Sequence, residues 1–157
     1  MKKLCAILVT FILILSSLSV FAAPGSISAY DTGNASNLIV VKKPETKNSA
    51  TTKKTYGITG TGKNKVTVSY YKFNGNTYTA LRDSDGGISQ TKIGNAGVFY
   101  KQVSLSEGHN KFAVRAENAN GAYQVVFFDI NVLAHNVMNN VSGFSNGIQS
   151  LFNGWMN

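Results

Sequence analysis

Residues 97–132, "GVFYKQVSLSEGHNKFAVRAENANGAYQVVFFDINV", decide the fold class. Phe112, Val114 and Ala116 fall on one side of an alternating run and Arg115 and Glu117 on the other, the period of a half-buried strand. Val126, Phe128, Ile130 and Val132 repeat the pattern and read as inward-facing. Two polar segments, "SEGHN" at 106–110 and "ENANG" at 117–121, divide the stretch into three strands at the spacing of successive antiparallel hairpins.

Working outward, "NKVTVSYYKF" at 64–73 alternates Val66, Val68 and Tyr70 against Thr67, Ser69 and Tyr71. "KKTYGITGTG" at 53–62 predicts a strand around Ile58, and "LIVVKKPE" at 38–45 a first strand stopped by Pro44, which is confined to an edge or a strand end. "TKNSATTKK" between them reads as a polar connection. Residues 74–97 predict short strands at Tyr78–Leu81 and Thr91–Ile93. No long helix interrupts residues 38–133, so about seven strands in one antiparallel β-sandwich of immunoglobulin-like size are expected, and a parallel α/β sheet is not.

The motif "YGITGTGKNKVTVSYY", followed by "GVFYKQVSLSEGHNKFAVRAENANG", resembles the bacterial immunoglobulin-like domains of Gram-positive secreted and cell-surface proteins, including those related to the accessory domain of glucodextranase. The positions that carry the resemblance are Ile58, Thr59, Gly60 and Thr61, then Val66 and Val68, then Gly97 and Phe99. They continue with Leu105, Gly108 and Asn110 and end in Phe112, Val114, Ala116 and Gly121. The resemblance implies a sandwich fold over roughly 38–133 and a non-catalytic role as a spacer, adhesion or glycan-associated module; it implies no particular ligand.

The flanks differ in character. Residues 1–23 combine Lys2 and Lys3 with an apolar run from Leu4 to Leu15 and the small residues Ala22 and Ala23, the pattern of a secretory signal peptide, helical in its apolar part and cleaved after Ala22 or Ala23. Cys5, the single cysteine, lies within it, so the mature chain is expected to have no disulfide and no thiol chemistry. Residues 24–37 lack any period and read as a flexible lead-in. Loss of Lys2 and Lys3 takes the formal charge from +8 to +6, and Lys42, Lys43, Lys47, Lys53, Lys54 and Lys63 cluster in sequence. That surplus suits a cell-wall polymer or another polyanion, and export disfavours nucleic acid; solubilising lysines on loops and edges explain the same cluster.

Residues 134–157 carry no charge, and Val137, Val141, Phe144, Ile148, Leu151 and Trp155 follow one helical stripe beside a strip of Gly143, Gly147 and Gly154. An amphipathic C-terminal helix is expected, one that needs a surface because its glycines and asparagines are poor helix formers. Its own sheet over Val125 and Phe127, another protein or a second copy, and a membrane are the competing surfaces. A strand apolar on both faces, as here, is covered on both.

Tyr71 and Phe73 leave the face set by Val66 and Val68 and, with Tyr78 close by in sequence, form a candidate platform for a sugar ring; packing against a neighbouring strand or against the tail is the alternative. Asp83 and Asp85 in "RDSDGGIS" fall short of a calcium loop and read as a tight glycine turn. His109 and His135 belong to no catalytic motif, so no enzyme activity, cofactor or metal is expected. The expected protein is a secreted binding or adhesion module of the cell surface or wall, whose partner is a wall polymer, a glycan or another surface protein. A membrane-active or self-assembling protein working through Phe144, Ile148, Leu151 and Trp155, and a carbohydrate-binding accessory domain, are the alternatives.

Overall fold

The structure, a computed structural model, describes residues 23–134. Ten strands run in chain order: β1 (Ser26–Ile27), β2 (Ile39–Lys43), β3 (Asn48–Thr51), β4 (Thr55–Gly62), β5 (Thr67–Phe73), β6 (Tyr78–Ala80), β7 (Gln90–Lys92), β8 (Val98–Ser104), β9 (Gly108–Glu117) and β10 (Tyr123–Val132). No helix occurs among the described residues, and none there is long and apolar enough to cross a membrane. The expected leader helix and C-terminal helix, with Phe144, Ile148, Leu151 and Trp155, lie outside the described residues.

A large sheet has the order β1-β6-β5-β9-β10-β3, with β7 also on β5, and a small sheet has the order β2-β4-β8. Alternating apolar residues from both sheets meet in one core: Ile39, Ile58, Phe99 and Val103 from the small sheet face Val68, Tyr70, Phe112, Val114, Phe128 and Ile130 from the large one. Phe112 and Phe128 stack at 6.1 Å across β9 and β10. Gln124 enters this interior as a polar clasp. Its Oε1 accepts from the Leu38 and Ile39 N–H groups at 2.8 and 3.1 Å, and its Nε2 donates to the Ile39 carbonyl, tying β10 to β2.

The inward assignments for β9 and β10 agree with the structure, and "ENANG" makes the expected hairpin, closed by Asn118 N–H on the Ala122 carbonyl. "SEGHN" does not. β8 belongs to the small sheet and β9 to the large one, so this segment is a crossover between sheets. Leu105 is drawn into the core, and Asn110, 2% exposed, receives the Ser106 N–H and donates to the Ser106, Gly108 and Ile130 carbonyls. That clamp satisfies the backbone where the chain turns through the sandwich edge.

Residues 46–54 are likewise more than a connection. Beyond Pro44 the chain leaves the small sheet, and β3 pairs in parallel with β10, Asn48 opposite Asp129 through Thr51 opposite Val132. The lead-in 24–37 also carries fixed structure: β1 pairs with β6, Gly33 bridges Gln124, and the Asn34 and Ala35 N–H groups both reach the Tyr123 carbonyl. Turn-forming composition hid this, because single anchoring residues such as Ile27 leave no period.

Candidate functional site

The outer face of the large sheet holds the aromatics singled out from sequence, and it buries them. Ile27, Tyr71, Tyr78, Ala80, Ala113 and Val125 form a second apolar cluster, with Phe73 and Phe127 packed against it. Phe73 lies 5.1 Å from Tyr78, and Tyr78 lies 4.9 Å from Phe127. Tyr71 is fully buried, and its hydroxyl donates to the Pro24 carbonyl at 3.0 Å. Tyr71 and Tyr78 are buried among Ile27, Ala80, Ala113 and Val125, so they present no open ring face to a sugar. The same packing covers Val125 and Phe127, the face expected to need a lid.

An open groove occurs instead where the first part of the chain changes sheets. β2 pairs with β4 only over Thr59–Gly62, so the Thr55–Ile58 part of β4 has no β2 neighbour. The gap between this segment and β3 is about 820 Å³. One wall carries Lys43, Glu45, Asn48 and Ser49; the other carries Lys53, Thr55, Tyr56 and Thr59, with Tyr100 and Gln102 of β8 beyond.

Local sequence explains the shape. In "TYGITGTG" the outward positions are Thr55, Gly57, Thr59 and Thr61, a shallow surface with no bulky side chain. The Tyr100 ring settles into that space: a Cβ at Gly57 would stand 2.8 Å from its Cε2. Tyr100 remains 56% exposed, with its hydroxyl 3.2 Å from Gln102 Oε1. Burial and the Glu45 carboxylate push the Tyr56 hydroxyl above its ordinary pKa, so it stays a neutral donor at physiological pH. The groove thus offers an exposed aromatic face, hydroxyl and amide groups that both donate and accept, and two lysines against one glutamate. Lys42 continues the positive charge beside Val98 and Tyr100 on the small sheet's outer face.

The remaining titratable residues of note are engaged in the fold. Asp83 forms a salt bridge with Lys101 at 2.7 Å, and this hydrogen bond, with one from Ser89, holds its carboxyl below the usual range. Asp85 accepts from the Gly87 N–H, and the Gly86 N–H reaches the Asp83 carbonyl, which makes the expected tight turn. His109 Nδ1 lies 2.8 Å from Asp129 Oδ2, and Arg115 pairs with Glu117. No cluster of three or more metal-ligating side chains occurs among the described residues.

Tyr56 and Tyr100 were not singled out in the sequence. Tyr100 does carry a signal: it alternates with the buried Phe99 and Val103, which places it outward. What sequence does not give is the sheet change that opens space beside it. Neither a protein-family model nor a curated protein matches this chain.

Proposed function

We propose that the protein is an exported, non-catalytic binding module of immunoglobulin-like type that holds a hydroxyl-rich, anionic polymer of the cell surface or wall in the Tyr56–Tyr100 groove. The observation that carries this reading is the exposed Tyr100 ring packed beside Gly57 among hydroxyl and amide side chains. A pyranose ring presents an apolar face suited to such a ring and hydroxyls suited to its neighbours, while Lys43, Lys53 and Lys42 favour negative charge along the polymer.

The strand order supports the family assignment. β2-β4-β8 in one sheet and β5-β9-β10 in the other correspond to the A-B-E and C-F-G sets of an immunoglobulin-type sandwich, with β7 on β5 rather than beside β8.

Sedimentation with insoluble cell-wall polymer tests the reading. Tyr100→Ala should retain its melting temperature, because the ring is exposed, and lose roughly two- to tenfold in binding, the range of a lost aromatic stacking contact. Raising salt should weaken the parent's binding by screening the lysines. Equal binding by Tyr100→Ala and the parent overturns the groove as the site.

A further inference from the structure

The beginning of the described chain is fastened to the large sheet residue by residue. Ala23 is 8% exposed. The Pro24 carbonyl accepts from Tyr71, the Gly25 carbonyl accepts from the Ala80 N–H at 2.9 Å, and Ser26 and Ile27 pair with Thr79 and Tyr78. Ala23 lies in the wall of a cleft of about 190 Å³ shared with Ser69, Gln90 and Glu117. Lys65 and Lys92 also line the cleft, but both are exposed, so water screens them. Glu117 is sheltered, its side chain 15% exposed, and Arg115, which stacks on Tyr123 at 4.2 Å, engages its Oε2. A carboxylate has lone pairs for more than one donor, so Glu117 can accept a second cation.

This cleft coincides with the end that signal processing would create. Cleavage after Ala22 places the small residues Val20 and Ala22 at the two positions that a signal peptidase reads, whereas cleavage after Ala23 places the bulky Phe21 at the first. We propose that the chain is cut between Ala22 and Ala23 and that the new α-ammonium of Ala23 docks in the cleft against Glu117, with the Ser69 hydroxyl and the Gln90 side-chain carbonyl as further acceptors. Water adds across the peptide bond; the carboxylate leaves with the leader and the ammonium stays on the mature chain. Processing thereby supplies a charged anchor that locks β1 over Tyr71 and Val125. The inference rests on the export reading above.

The test uses the full-length chain, secreted and purified. Intact mass should give a mature protein starting at Ala23. Amine acetylation at neutral pH, which favours α-amines over lysines because of their lower pKa, should modify the α-amine at least about tenfold more slowly than in a variant with one glycine inserted between Ala22 and Ala23. The insertion keeps Glu117 and Arg115 intact, yet should lower the melting temperature by a few degrees. Glu117→Gln should raise the acetylation rate as well. A mature chain starting at Pro24, or an Ala23 amine acetylated as fast as that of the insertion variant, overturns the proposal and leaves export standing. A secreted-culture product that keeps residues 1–22 overturns the export reading itself.

Discussion

Gln124 occupies a position that hydrophobic patterning marks as interior, two residues before Val126 in the run that ends at Val132. Alternation identifies the face but not the chemistry a polar residue performs there. The structure supplies it: the side-chain amide takes over pairing for the Leu38 and Ile39 backbone where β2 begins. Gln124→Ala leaves two N–H groups of well-buried residues without this acceptor, and should cost about 2–3 kcal/mol, measured as a lower denaturant midpoint with an unchanged slope. Asn110 differs in legibility. Its place after Leu105 and Gly108 is visible in the sequence as a pattern, whereas its four hydrogen bonds to a crossover require the fold.

Strands reveal themselves in sequence when they are long and alternate on at least one face. β5, β9 and β10 are of that kind: the alternating residues that mark them lie in the main core, while Tyr71, Ala113 and Val125 on the other face are buried as well. Two short strands held by backbone pairing leave no such pattern: β1 has two residues and β3 four mostly polar ones. The groove was illegible for the same reason, because it exists only through the departure of β3 from the small sheet. The aromatic cluster misled in the opposite sense. Tyr71 and Tyr78 do face away from the main core, but a second core lies on that side. Ile27 is the one apolar side chain by which β1 covers it, so Ile27→Ala should cost about 2 kcal/mol or more. Hydrogen exchange should speed up at the Ala80 amide, which bonds to Gly25, while the amides between β9 and β10 keep their protection.

The whole molecule is held by buried tyrosines as well as aliphatics, and this gives its stability a sensitivity to alkali. Burial raises the hydroxyl pKa of both Tyr70 and Tyr71 above the ordinary value of 10.0, while the hydrogen bond between Tyr70 and Thr91 and the charge of Arg115, respectively, offset part of the rise. In the unfolded chain both ionise near pH 10. Their contribution is therefore complete below that pH and declines as pH rises toward the folded values, by up to about 1.4 kcal/mol per unit for each group. Urea midpoints measured from pH 8 to 11.5 should fall above pH 10, and Tyr70→Phe should flatten the fall.

The parallel pairing of β3 with β10 also sets a timetable. It joins residues 48–51 to residues 129–132, and β10 supplies half of the β9–β10 hairpin and the Gln124 clasp on β2. The small sheet is complete in sequence by Ser104, but nothing translated before residue 132 can complete the large one. Such non-local closure is slow, and the large sheet stays open along β9 until its last strand is in place. The topology that stabilises the finished sandwich thus also defers its assembly to the arrival of β10.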